Sequence, residues 1–561
     1  MVFKKSKLKF ISSVVFFIIL LGLLPQISLA GGKAAISPVT YSSLTRTWDD
    51  LALLYDNHFH NSSEVYEEIE YIHDSVPELV DLEVIGQTFL GKDIISLRIT
   101  NEQRTYQKAK ALVVAQHHGR EQISIEIALR FIHYLLNNYQ ENSTITEFID
   151  YQEIYVIPAL NYDSLDLVIN EGNHWLRKNL RPWDDDGDGF FEEDRAEDTS
   201  GDGIVSAFDV YANTNPLNPV FLYTYYEGID NDLDGLVNED DIGYTDLNRN
   251  YDSYWRQGEG WSPDTMSQVY PGHAPFSELE TQAFRDFALN HSFGMAYSLH
   301  SGINATFFPD KVDGWTEPAL YWNIVQDYTK ILPPSYTEVY TGYGQENYPV
   351  AESQILAGGW DTWMYFEQDC LVPITFELYN NLSSVVPAAY TPIEDNSTHL
   401  ILEFKSIYDY FNPYPQYIND IWNDVRPGFD YLLDNTPRLD IFAEVLRGRS
   451  TAGSEVELSF ELTNLSPRIR TMDEIDVHQD DFWVADAFEL DGNSESLLTV
   501  EVTLEQDLVN TTCMIKLGNN YTGYYHYILE EASGVSGLTI GPVLAGVFLL
   551  STALIINRRK R

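Results

Sequence analysis

Apolar runs and helical periodicities alternate along residues 41–435. Four segments are nearly continuous in apolar residues: ALVVAQ (111–116), IYVIPAL (154–160), GMAYSLH (294–300) and PITFEL (373–378). Short runs of this kind predict strands buried on both faces. Between them the period changes. In residues 121–140, Ile123, Ile127, Phe131 and Leu135 recur at three-to-four spacing, the stripe of a core-facing helix. Strands alternating with helices predict an α/β unit, a layered sheet with helices on both faces. From about residue 438 the pattern becomes a strict apolar/polar alternation, in LDIFAEV, SEVELSFELTN, SLLTVEVTLEQ and TTCMIKLG. Residues 438–530 are therefore expected to form a small β-sandwich, followed by a short tether at 531–537.

Both ends carry a longer apolar run. Residues 1–30 have a basic start, an apolar middle and Ser28-Leu29-Ala30 at the end, which predicts a signal peptide. Residues 538–556 are uncharged and are followed by a basic tail at 557–561. That run is long enough for a transmembrane helix, and the basic tail is expected on the cytoplasmic side. The expectation is a secreted protein anchored to the cell membrane with its catalytic domain outside. About ten residues separate the expected cleavage site from the catalytic region, so no folded inhibitory segment is expected. Sequons at Asn142, Asn304 and Asn396 suit that location. The 34 basic and 85 acidic residues give a net charge of −51, which excludes a nucleic-acid backbone reader. Cys370 and Cys513 fall in different predicted domains and are expected to be free thiols.

The chemistry is concentrated in ALVVAQHHGREQIS. His118 and Glu121 lie three apart at a strand-to-helix turn, so an imidazole and a carboxylate can converge. Zinc takes those donors, and its catalytic sites use three protein ligands and one open position. His300 ends an apolar strand, where open α/β sheets build their sites, and is the candidate third ligand. Four further segments follow in order: Asn161-Tyr162-Asp163, Arg177-Lys178-Asn179, Asp246-Leu247-Asn248-Arg249-Asn250 and Thr375-Phe376-Glu377-Leu378.

This ordered series resembles the zinc carboxypeptidases of the carboxypeptidase A type, over roughly residues 41–410. The resemblance implies a mixed, mainly parallel sheet and one catalytic zinc held by His118, Glu121 and His300. It implies that Glu377 takes the proton from the attacking water and that Arg177 steadies the oxyanion. It further implies that Arg120 lines the groove and that Asn248 and Arg249 grip a terminal carboxylate, so that the partners are peptide or protein C-termini. Asp361, two residues past Gly358-Gly359, matches the floor of the specificity pocket, where an acid favours a basic C-terminal residue and Lys311 would oppose it. One departure stands out. The family's Tyr four residues before the Gly pair is Gln354 here, with Tyr343 or Tyr348 as possible substitutes. That leaves two other readings: a zinc amidase acting on a cell-wall or modified side-chain amide, or a retired peptidase fold serving as a calcium-stabilised adhesin.

Residues 184–241 interrupt the α/β pattern with 18 acidic residues and one Arg. Oxygens at loop positions 1, 3, 5, 9 and 12, with Gly at position 6, resemble EF-hand calcium loops. The candidates are Asp184, Asp186 and Asp188 in the first loop and Asp198, Ser200, Asp202, Ser206 and Asp209 in the second. The third offers Asp230, Asp232, Asp234, Asn238 and Asp241. Two or three structural calcium ions would offset the repulsion among these carboxylates.

Overall fold

The computed structural model describes residues 46–436, except 105–107, 185–190, 192–194, 214, 216–217, 232–242, 310–329, 337, 342–354, 369, 371 and 387–388, and strand backbone within 439–529. The expected signal peptide and membrane helix lie outside these residues. Among the described residues no helix is long and apolar enough to cross a membrane.

The central sheet has eight strands. In chain order they are β1 (Val80–Gln87), β2 (Asp93–Ile99), β3 (Ala109–Ala115), β4 (Gln152–Ile157), β7 (Met295–His300), β8 (Asn304–Phe308), β9 (Glu338–Thr341) and β10 (Val372–Leu378). They are arranged β1-β2-β4-β3-β7-β10-β8-β9. The four predicted runs are β3, β4, β7 and β10, and these neighbours pair in parallel. Strands β1, β2 and β8 add antiparallel pairings at the flanks, so the sheet is mixed. Every residue of β7 is buried, as are all but Lys110 of β3 and Glu377 of β10. Helices cover both faces, which explains why these strands show no polar alternation.

Helices around these strands include α1 (Ser62–Ser75), α2 (Ile123–Asn138), α3 (Ser143–Tyr151), α4 (Tyr162–Glu171) and α5 (Leu279–Ala288). Local sequence explains several ends. Asn61 and Glu64 form a reciprocal capping box on α1. Asn142 and Asn161 cap α3 and α4, and Gly172 closes α4 in the left-handed conformation. The predicted helix over 121–140 is α2. Its Phe131 ring packs on Phe429 of the long helix Ile418–Asn435 at 4.8 Å, joining it to the main core.

A second sheet was not foreseen. Strands β5 (Ala207–Ala212) and β6 (Val220–Tyr226) belong to the acidic segment, and β11 (Tyr390–Asp395) and β12 (His399–Phe404) come from almost 200 residues later. They pair antiparallel in the order β11-β12-β5-β6. Val220, Phe221, Leu222 and Tyr223 on the edge strand are 48–57% exposed.

Beyond residue 438 the expected strands form. Leu439–Gly448, Glu455–Asn464 and Glu495–Thr503 make one antiparallel sheet, and Ile475–His478, Thr511–Leu517 and Tyr524–Leu529 make another. Their side chains, Cys513 included, lie outside the described residues; Cys370 is buried.

Candidate metal centre

Because β3, β7 and β10 run parallel, their C-terminal ends share one edge of the sheet. Chain reversal after β3 begins at Gln116, whose φ of +55° is left-handed. His117, His118 and Gly119 follow directly. Gly119 is required by space, since a Cβ there would stand 2.6 Å from that of Ser164 and 3.2 Å from the Leu176 carbonyl. That close approach lets the Gly119 N–H donate to the Arg177 carbonyl at 3.1 Å. The turn therefore brings the HGRE segment and Arg177 together.

His118, Glu121 and His300 converge as expected. The Nδ1 atoms of the two imidazoles face each other at 3.2 Å. Each also faces Glu121, His118 Nδ1 at 2.8 Å from Oε1 and His300 Nδ1 at 2.9 Å from Oε2. All three residues are at most 2% exposed. Among the described residues this is the one group of three or more His, Cys, Asp or Glu donors able to share an ion. Two imidazole nitrogens and a carboxylate, enclosed and pointed at one spot, fit zinc. Burial pushes the Glu121 pKa upward, but the neighbouring imidazoles outweigh it and hold the carboxyl well below its usual range. The site thus keeps its negative ligand ionised.

Partners behind the imidazoles orient them. His118 Nε2 lies 3.0 Å from Asp246 Oδ1, and His300 Nε2 lies 3.0 Å from Ser298 Oγ. Carboxylate and hydroxyl contacts of this kind fix the tautomer and leave Nδ1 for the ion. Asp246 is also the partner of Arg177, which donates Nε and Nη2 to Oδ2 at 3.0 and 2.8 Å. A further donor, the Asn248 N–H, reaches Oδ1 at 2.9 Å. Burial alone would raise the Asp246 pKa; the Arg177 and His118 charges hold it well below the ordinary value. This role had escaped the sequence reading, although Asp246 heads the DLNRN segment.

Glu377 sits beside His300. The two are register partners in the parallel pair β10–β7. Its Oε2 is enclosed and has no hydrogen-bond partner among the described residues. Burial and then the Glu121 charge push its pKa well above the usual carboxylate value, with Arg177 opposing. Arg177 Nη1 stands 3.7 Å from Glu121, and its Nη2 2.8 Å from Asp246.

The remaining groove candidates are placed as follows. Arg120 donates to the Trp175 carbonyl and to Gln268, and its guanidinium stacks on Phe411 at 4.4 Å. Burial and Arg177 bring its pKa down to about 10. Asn248 is 7% exposed and accepts from the Trp360 N–H at 2.9 Å. Arg249 donates to the Gly260 and Asn248 carbonyls. Gly358, at φ +65°, comes so close that a Cβ would lie 2.0 Å from the Arg249 carbonyl oxygen. Only glycine permits that contact, which ties the GGWDTW segment to the DLNRN segment. Asp361 is buried and accepts from the Thr362 N–H at 2.7 Å; burial raises its pKa, with Thr362, Arg249 and Thr375 opposing. Thr375 lies two residues before Glu377, so Asp361 is attached to β10.

Among the described residues, the calcium candidates are not gathered as the zinc ligands are. Asp198 folds back on its own loop, accepting from the Gly201, Asp202 and Gly203 N–H groups and the Ser200 hydroxyl. Asp202 pairs with Lys405. The Ser206 hydroxyl donates to Glu403, and Asp209 lies in β5 accepting from the Thr224 hydroxyl. Asp186, Asp188, Asp232, Asp234, Asn238 and Asp241 lie outside the described residues, as do Lys311, Tyr343, Tyr348 and Gln354.

A family profile described as zinc carboxypeptidase (peptidase M14) matches residues 65–427, more than half of the chain, so the protein belongs to that family. It is 30% identical over 127 residues to a zinc carboxypeptidase of Saccharothrix mutabilis subsp. capreolus, covering 22% of this chain and 29% of that protein. It is 24% identical over 260 residues to carboxypeptidase B2 of Rattus norvegicus, covering 46% of this chain and 48% of that one. The chain thus spans about half or less of these relatives' length. A crystal structure of carboxypeptidase A from Helicoverpa armigera is similar at 19% identity and a TM-score of 0.45, over 67% of this chain and 73% of that one.

Proposed function

We propose that the protein is a zinc metallocarboxypeptidase that removes C-terminal residues from peptides outside the cell. One observation carries the reading: Glu377, with an enclosed oxygen that has no hydrogen-bond partner among the described residues, stands beside a buried His118–Glu121–His300 donor set. Zinc held there supplies the Lewis acidity that makes water nucleophilic near neutral pH. The rest belongs to the chain. Asp246 and Ser298 hold the imidazoles in orientation. Glu377 accepts a proton from the attacking water and returns it to the leaving amine. Arg177 meets the charge developing on the carbonyl oxygen, a contribution worth about 3–4 kcal/mol in comparable donors. Asn248 and Arg249 receive the terminal carboxylate, for which a guanidinium fork is suited. Asp361 then favours a basic terminal side chain.

In the same reading the N-terminal run directs secretion and residues 538–556 anchor the protein. The β-strands after residue 438 form a spacer or docking sandwich, and the acidic loops bind calcium. The test pairs peptides ending in Lys, Phe or Glu with their C-terminal amides. Free termini are cleaved and amides are not, and Glu377→Gln loses about 10²–10⁴ in kcat while zinc content stays constant. Equal cleavage of amides would favour the side-chain amidase instead.

A further inference from the structure

The HGRE turn carries a second histidine that the mechanism above leaves unused. His117 is fully enclosed and precedes the ligand His118, on the turn that starts at the left-handed Gln116. Its carbonyl accepts from Asn161 Nδ2 at 3.3 Å, which holds it at the edge of the sheet. The ring stacks on that of His300, with centroids 5.3 Å apart and planes at 19°, and it meets Trp360 edge-to-face at 6.4 Å. Packing alone needs no nitrogen in this position, yet both nitrogens are engaged. Nδ1 lies 3.1 Å from Ser298 Oγ, and Nε2 lies 2.9 Å from the Tyr251 hydroxyl.

Ser298 and His300 stand two apart on β7, so their side chains share a face. The Ser298 hydroxyl is thereby placed between two imidazoles, 3.0 Å from His300 Nε2 and 3.1 Å from His117 Nδ1. The proton directions follow from what an ion requires. An ion on His300 Nδ1 leaves the imidazole proton on Nε2, which must then donate. Two groups face that nitrogen. Asn248 Nδ2, at 3.5 Å, is itself a donor, because Asn248 Oδ1 is the atom that accepts from the Trp360 N–H. Ser298 Oγ therefore takes the His300 proton, and its own hydrogen turns to His117 Nδ1. The His117 Nε2–H then points at the Tyr251 oxygen. All four side chains belong to residues at most 1% exposed, so bulk water does not replace a lost link.

We propose that His117 is a positioning residue for the metal: its Nδ1 draws the Ser298 hydrogen away from His300 and so keeps the His300 Nδ1 lone pair available to the ion. Without that acceptor the Ser298 hydrogen is free to turn to His300 Nε2. The imidazole proton then sits on Nδ1, the tautomer that cannot bind an ion at that atom. His118 needs no such relay, because the Asp246 carboxylate behind it can only accept. The inference rests on the zinc part of the proposed function and is independent of which peptide is cleaved.

The test measures zinc affinity of the full chain by competition with a chromophoric chelator. Two variants separate the nitrogens. In His117→Asn the amide group takes the place of Nδ1 and can present its oxygen to Ser298; in His117→Gln the amide reaches the Nε2 position instead. His117→Gln weakens zinc about tenfold and His117→Asn less than about threefold. Ser298→Ala also weakens it about tenfold, and adding His117→Gln to it costs less than about twofold more, since the link is already broken. In cobalt-substituted protein the visible bands shift in the Gln and Ala variants and stay in place in the Asn variant. Equal losses for Asn and Gln mark a packing role and overturn the proposal, as do losses that multiply in the double variant. Should the His117 variants not fold, Ser298→Ala still decides, and a zinc affinity within about twofold of wild type overturns the relay. Wild-type protein that binds zinc but releases no C-terminal residue would sink the peptidase reading alone, because the affinity series still decides His117. Wild-type protein without zinc affinity would overturn both.

Discussion

Asp246→Asn is the sharpest perturbation of the metal centre that leaves every ligand in place. Four donors converge on this fully enclosed carboxylate: Arg177 through Nε and Nη2, His118 through Nε2, and the Asn248 N–H. An amide of the same shape offers a single acceptor oxygen. Its NH₂ must face donors, so at least one contact becomes donor against donor. Two losses follow. Without its carboxylate partner, His118 is no longer held with Nδ1 toward the ion, and changes of this kind cost about 10–100-fold in metal affinity, or roughly 1.4–2.8 kcal/mol. Separately, the Arg177 charge loses its main counter-ion in a buried setting, which costs about 3–5 kcal/mol of folding free energy. Zinc affinity is read by competition with a chromophoric chelator, and apo-protein stability by urea denaturation. The expected result is weaker zinc and lower apo stability together. A zinc affinity within twofold of wild type would refute the role given to Asp246, whatever happened to turnover.

Three further outcomes are expected. His60 is buried; desolvation disfavours its charge, but Glu126 and Glu68 outweigh this and raise its pKa to about 9. A raised imidazole stabilises fully below its unfolded value of about 6.5 and loses that contribution as pH climbs through 9. The unfolding free energy from urea denaturation should therefore fall by about 3 kcal/mol across that window, and His60→Gln should remove the slope. Glu280 shows the opposite sign. Burial, then the Glu278 charge, lifts its pKa to about 8, so the fold increasingly disfavours it as pH rises from 4.5 to 8. Glu280→Gln should raise stability near pH 8 by on the order of 4 kcal/mol and change little at pH 4, as measured by pH-dependent melting. Finally, a chelator selective for calcium that leaves zinc in place should lower the melting temperature; a superimposable melting curve would count against calcium in the acidic loops.

The zinc centre was legible because its residue types are chemically restrictive and the motifs come in order. Two imidazoles, a carboxylate and a base at strand ends have few other uses together, and the parallel strands placed them at one edge. Asp246 was harder to assign. Its partners His118 and Arg177 lie 128 and 69 residues away, and no local pattern shows that one carboxylate serves both. Periodicity identified the buried parallel strands but not the antiparallel flanks, since β1, β2 and β8 owe their direction to pairing. The second sheet was hidden for a related reason. Acidic composition drew residues 184–241 toward a loop reading, while β12, the second partner of β5, lies beyond β10.

That second sheet bears on how the chain is made. The β5–β6 hairpin leaves the ribosome well before β12, which begins at His399, 173 residues after β6 ends at Tyr226. At about 5–20 residues per second, it waits roughly 10–35 s for the strand that completes it. Throughout that interval the free edge of β5, Ala207–Ala212, which β12 later pairs with, can meet neighbouring nascent chains. Slower translation between these segments would lengthen the exposure, and a chaperone that shields short aromatic hairpins would be most useful in that interval.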